Sequence, residues 1–210
     1  MVASEHKRAS RTAALVLAGL LVCAVGIRGW IGPSTIELPV ISRVPSFSFT
    51  DQTGQPFGSA ELGGTAWIAS FIYTRCPGPC PRLVRRVVEL QQKHAGEGRL
   101  RYVSFSVDPK TDRPEVLAAY ARQHGIDSGS WRLLTAGFDE ITGFMRDTFF
   151  LEVSRTERGS AGSAQGPVIH SVHLALVDPR MRVRGFYDSS EPSALRRLER
   201  DLDLVLGETP

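Results

Sequence analysis

The sequence predicts an α/β sandwich built on a mixed sheet, and three observations carry that expectation. TAWIASFIY (65–73) is a continuous apolar run bounded by Gly-Gly and by a Cys-Pro loop, as in a buried central strand. A helix-periodic segment, a strand and a second helix follow it at 82–94, 100–108 and 114–124. Late in the chain, VIHSVHLALVD (168–178) and RVRGFYD (182–188) read as paired strands around a turn at Asp178-Pro179. Alternation of this kind places helices on a central sheet.

The elements follow in order. Residues 32–46 carry three prolines and no helical period, so they read as an extended tether. The stretch from Ser46 to Phe57 reads as a strand, a Gly-containing turn and a short second strand. In the helix at 82–94, positions 83, 84, 87, 88 and 90 are apolar. LRYVSFSVD (100–108) is a strand, and Pro114-Glu115 opens the helix at 114–124. A short strand at 131–134, a helix at 138–147 and a closing helix at 191–206 complete the body. Residues 155–166, rich in Gly and Ser, read as a flexible loop.

The chain has 210 residues and a net charge of +3. Residues 1–31 hold four basic residues and one acid, leaving 21 basic and 21 acidic residues in the remainder. The body therefore offers no charge-based case for nucleic-acid binding. The clusters Arg82/Arg85/Arg86 and Arg196/Arg197/Arg200 read as solvated helix faces. Between Arg11 and Arg28 lie sixteen uncharged residues, and the segment 12–31 is long enough to cross a bilayer at about 1.5 Å per residue. It reads as a transmembrane signal anchor, with residues 1–11 as a cytoplasmic tail and Trp30 at headgroup level. A cleaved signal peptide is the rival reading. No clean A-x-A site is visible, and Val22 is bulky where lipoprotein cleavage at Cys23 wants a small residue.

Cys23 falls inside that apolar segment, which leaves Cys76 and Cys80 as the thiols of the body. They flank Pro77-Gly78-Pro79 between the central strand and the first long helix. A structural disulfide there would close a tiny loop and stabilise weakly. Cys76, Gly78 and Cys80 each precede proline and so avoid the α region. Pro77-Gly78 suits the centre of a type II turn. Pro81 suits the first helical position, which puts Cys80 at the N-cap. The helix dipole there should lower the Cys80 pKa, assisted by Arg75 and Arg82. Two thiolates are a soft donor set for Cu(I), or for Zn, and a third ligand decides. His6 lies on the cytoplasmic side of the anchor. His94 and His124 read as exposed residues at helix C-termini. His170 and His173 sit on opposite faces of the strand at 168–178, so one of them turns toward the cysteines.

Strand order and the position of the cysteines describe a thioredoxin-like three-layer sandwich over residues 47–206, with 207–210 as a tail. The pattern F-x-Y-T-R-C-P-x-x-C-P at 71–81, S-V-D-P-x-x-D-x-P at 106–114 and H-S-x-x-x-x-L-x-D-P at 170–179 resembles the Sco/SenC/PrrC copper-chaperone family across roughly residues 44–206. The resemblance implies copper bound by Cys76, Cys80 and His170, as Cu(I), or as Cu(II) with an added oxygen donor. It implies a role in assembling the binuclear copper site of cytochrome c oxidase subunit II, by delivering copper or reducing that site's cysteines. Its implied partners are that subunit and an upstream periplasmic copper carrier or thiol reductant. Its implied location is the cytoplasmic membrane of a bacterium, with the body on the periplasmic side.

Two positions depart from the family. Ile169 stands where an Asp often precedes the histidine, and Gly78 stands where an acid often lies between the cysteines. Asp108 and Asp112 match the family's second motif and are read as loop organisers rather than ligands. The alternative function is a thiol–disulfide oxidoreductase or redox sensor using Cys80 and Cys76 as a redox-active disulfide. Thr74 and Arg75, just before Cys76, keep a peroxidase reading in view. On the leading reading the chain is a metallochaperone rather than an enzyme.

Overall fold

A computed structural model of the chain describes residues 37–155, 167–169 and 172–207. Residues from Leu38 onward form the compact body treated below. The segment 12–31 and most of the loop at 155–166 lie outside the described residues. Among the described residues no helix is long and apolar enough to cross a membrane.

The strands are β1 (Ser42–Arg43), β2 (Ser48–Asp51), β3 (Pro56–Gly58), β4 (Ala66–Ile72), β5 (Leu100–Ser106), β6 (Trp131–Thr135), β7 (Val153–Arg155), β8 (Pro167–Ile169), β9 (His173–Val177) and β10 (Arg182–Asp188). The helices are α1 (Ser59–Leu62), α2 (Cys80–Lys93), α3 (Pro114–Gln123), α4 (Phe138–Phe149) and α5 (Pro192–Gly207). Eight strands form one sheet in the order β1-β10-β9-β4-β5-β6-β2-β3. β4, β5 and β6 run parallel, and the other pairings are antiparallel, so the sheet is mixed as expected.

β4 is buried on both faces along its whole length, which explains its unbroken apolar run. Ala66, Ile68 and Ile72 face one core with Leu83, Val84 and Val87 of α2, Leu117 and Tyr120 of α3, and Leu198 and Leu202 of α5. Trp67, Ala69 and Phe71 face the other core, with Ile141, Met145 and Phe149 of α4. The period-two alternation of one strand thus supplies both cores of a three-layer sandwich.

Two expectations change. The run 168–178 is not one strand: β8 pairs with β7 in a separate two-stranded sheet, and β9 alone joins the main sheet. The β10–α5 turn is tied to the intervening segment, with the Ser189 N–H donating to the Val172 carbonyl at 3.1 Å. β9 begins at His173, so alternation along a single strand does not relate it to position 170. The described part of the tether is extended but held to the body. β1 pairs with β10, and Arg184 donates to the carbonyls of Pro39 (3.1 Å) and Leu38 (2.6 Å).

Candidate metal centre

The cysteine loop leaves the C-terminal end of β4, at the centre of the sheet, and enters α2. Open α/β sheets place their sites at such strand ends. Two carboxylates from the β5–α3 loop hold it there. Asp112 accepts the Thr74 N–H at 3.0 Å and the Thr74 hydroxyl at 2.5 Å. The oxygen that takes the Thr74 N–H, Oδ2, also accepts the Ser106 hydroxyl at 2.5 Å. Asp108 accepts from the Arg75 guanidinium at 3.2 Å, and its own N–H donates to Ser106 Oγ at 3.2 Å. Asp108 and Asp112 are thus the loop organisers the sequence suggests. They engage the cysteine loop directly through Thr74 and Arg75.

Cys76 and Cys80 are free thiols, 9% and 5% exposed. They are nearly closed off from solvent. Burial raises the Cys76 pKa, but this is overcome by the Cys80 thiol, the backbone N–H groups of Cys80 and Gly78, and the Tyr73 hydroxyl, and the net shift is downward. Burial pushes the Cys80 thiol up to about 12, reinforced by its bond to Cys76. The expected order is therefore reversed: Cys76 is the more acidic of the two thiols and Cys80 the less acidic. Pro79 caps α2 and Cys80 is already inside the helix, its side chain turned into the protein, so desolvation outweighs the dipole. The predicted type II turn is also absent, because Gly78 is not among the glycines with positive φ that such a turn requires.

Tyr73 was quoted within the motif but given no role by sequence reasoning. Its hydroxyl is pushed up to about 12 by burial and by its hydrogen bond to Cys76. The only signal for it was its place three residues before Cys76. His94 and His124 cap the C-termini of α2 and α3 as expected, but they are half-buried rather than exposed. The His124 ring lies 4.2 Å from that of Tyr120. His173 opens β9 opposite Asp188 of β10. His170 lies outside the described residues, as do Cys23 and His6. Among the described residues no third His, Cys, Asp or Glu joins the two thiols as a ligand cluster. What the described residues supply is a two-sulfur donor set, which fits a soft monovalent cation such as Cu(I) and leaves room for a further ligand.

The SCO1/SenC family model matches residues 40–202. The chain belongs to the SCO1/SenC family. It is 31% identical over 182 residues to the SCO1 protein homolog of Bacillus subtilis, covering 86% of this chain and 87% of that one. A SCO1/SenC family lipoprotein from Bacillus anthracis superposes with a TM-score of 0.71 at 31% identity, over 80% of this chain and 96% of that one. BsSco, described as a Sco-family cytochrome c oxidase assembly protein with a disulfide switch, superposes with a TM-score of 0.69 at 26% identity, over 82% and 99%. Yeast Sco1, solved with copper bound, shares the fold at 22% identity and a TM-score of 0.62, over 80% and 91%. These likenesses establish the thioredoxin-like sandwich for this SCO1/SenC member.

Proposed function

We propose that this SCO1/SenC protein is a membrane-anchored copper-binding chaperone whose dithiol, Cys76 and Cys80, holds Cu(I) with His170 as third ligand. The observation that carries the reading is the pair of free thiols held together at the end of β4, hydrogen-bonded to each other. Copper is the cargo of this site. Binding of Cu(I) by both sulfurs would release the thiol protons, while the imidazole adds a neutral nitrogen donor. Cu(II) enters the same site with an added oxygen donor.

The recipient on this reading is the binuclear copper site of cytochrome c oxidase subunit II, in keeping with the assembly role described for BsSco. An upstream periplasmic copper carrier or thiol reductant loads or resets the chain. Residues 12–31 anchor it in the cytoplasmic membrane of a bacterium, with the body on the periplasmic side. The lipoprotein relative is consistent with attachment at a membrane.

A second reading, thiol–disulfide exchange, is favoured by the asymmetry of the thiols. Cys76 would attack a partner disulfide, and Cys80 would then resolve the mixed disulfide. Two electrons and two protons pass to the partner's sulfurs, and a Cys76–Cys80 disulfide remains. That disulfide lacks the thiolates copper needs, so redox state gates loading.

The test is titration of the reduced full chain with Cu(I) against a competing chelator. It is repeated for Cys76→Ser, Cys80→Ser and His170→Ala. The proposal expects one tight equivalent, weakened at least about tenfold by each substitution, or about 1.4 kcal/mol. Weak binding indifferent to His170, with rapid exchange against a disulfide peptide, would leave the second reading standing alone.

A further inference from the structure

The outward face of α2 carries Arg82, Arg85 and Arg86, all exposed, beside the thiol pair. From sequence these read as an ordinary solvated face. In the structure they line a cleft of about 390 Å³ together with Pro79, the residue before Cys80, and with Glu89, Val172, Ser189 and Ser190. Arg86 is paired with Glu89 at 2.8 Å. Among the described residues Arg82 and Arg85 make no ion pair. The Ser190 hydroxyl donates to Asp188 at 2.6 Å, so Arg82 and Arg85 are the charged donors that this cleft offers free of an ion pair. The body outside the N-terminal segment carries equal numbers of basic and acidic residues, so this patch is local rather than a consequence of net charge.

We infer that the arginine face of α2 docks an acidic segment of the protein that exchanges copper or electrons with Cys76 and Cys80. The inference rests on the proposed exchange role of that pair. Guanidinium groups match carboxylates in fork geometry and steer anionic partners from a distance. A chain seated on Arg82 and Arg85 lies within reach of the thiols. Exchange then proceeds inside a bound complex rather than by random collision.

The test uses the reduced, metal-free full chain and two labelled peptides. Both have Ser-x-x-x-Ser centres; one is flanked by glutamates and the other by lysines. Fluorescence anisotropy at low salt reads affinity, and the alkylation rate of Cys76 reads location. The expected result is at least about tenfold tighter binding of the acidic peptide, lost in high salt. Bound acidic peptide slows Cys76 alkylation severalfold. The triple variant R82E/R85E/R86E reverses the preference, whereas Lys93→Glu with Arg99→Glu, toward the far end of α2, leaves it. R82Q/R85Q/R86Q, checked by its melting curve, abolishes the preference without charge reversal. Equal affinities, unchanged Cys76 alkylation, or an equal effect of the distant reversal would overturn the inference. Because neither copper nor exchange is involved, failure of the Cu(I) titration leaves this result readable on its own.

Discussion

The Asp112 carboxylate accepts both the backbone N–H and the hydroxyl of Thr74, across 38 residues of sequence. This contact fixes the start of the cysteine loop to the loop that follows β5. Asp112→Ala would leave the two Thr74 donors and the Ser106 hydroxyl without their acceptor. It should cost about 2–3 kcal/mol, read from the urea midpoint. Cu(I) affinity should fall as well, because the sulfurs lose their fixed spacing. An Asp112→Ala protein with unchanged midpoint and affinity would contradict this role.

Thiol asymmetry predicts the order of chemical modification. With limiting iodoacetamide at neutral pH, Cys76 should be alkylated before Cys80, because thiolate is the nucleophile and burial holds Cys80 as the thiol. Tyr73→Phe removes a hydrogen bond that favours the Cys76 thiolate and should slow that step severalfold. Peptide mass mapping of partially labelled protein gives the order directly, and Cys80 labelling first would refute it.

Arg184 and Asp178 form a buried pair at 2.7 Å, and Arg182 joins the same carboxylate at 2.6 Å. Arg184 also grips the chain at Leu38 and Pro39. Arg184→Met leaves the buried Asp178 charge with Arg182 but without the fully buried guanidinium and should cost about 3 kcal/mol. The same variant should open the segment before β1 to proteolysis. Cleavage no faster than in the parent would show that the segment is held by other contacts.

Two carboxylates set opposite trends with pH. Burial raises the Asp178 pKa, but Arg184 and Arg182 overcome this and hold it below the usual carboxylate range. Its contribution is present above the unfolded pKa of about 3.9 and is lost as pH falls through the lower folded value. Burial raises Asp112 despite its hydrogen bonds, so its contribution grows as pH falls toward about 3.9. Urea midpoints from neutral pH downward should therefore show a gain that Asp112→Asn removes. Below it should come an acid loss that Asp178→Asn makes shallower. A profile unaffected by either variant would mean that other groups carry the acid response.

Much of the fold was legible because β4 and β5 have strong periodic signals and the helices have clear apolar stripes. The break between β8 and β9 was not legible, since VIHSVHLALVD keeps its apolar character through a change of pairing partner. Short range also misled at Cys80. Proline rules place the helix start within one residue, but they do not say which way the side chain turns. That turn, into the core rather than toward the dipole, decides which sulfur is the more acidic. Asp112 was visible as a motif residue, yet its bond to Thr74 spans two loops and depends on the parallel register of β4 and β5.

The most direct measurement is X-ray absorption at the copper edge on the Cu(I)-loaded full chain, with His170→Ala beside it. The account predicts two sulfur neighbours and one nitrogen neighbour in the parent, with the nitrogen lost in the variant. A three- or four-sulfur shell, or a nitrogen neighbour that survives His170→Ala, would contradict the site built on Cys76, Cys80 and His170.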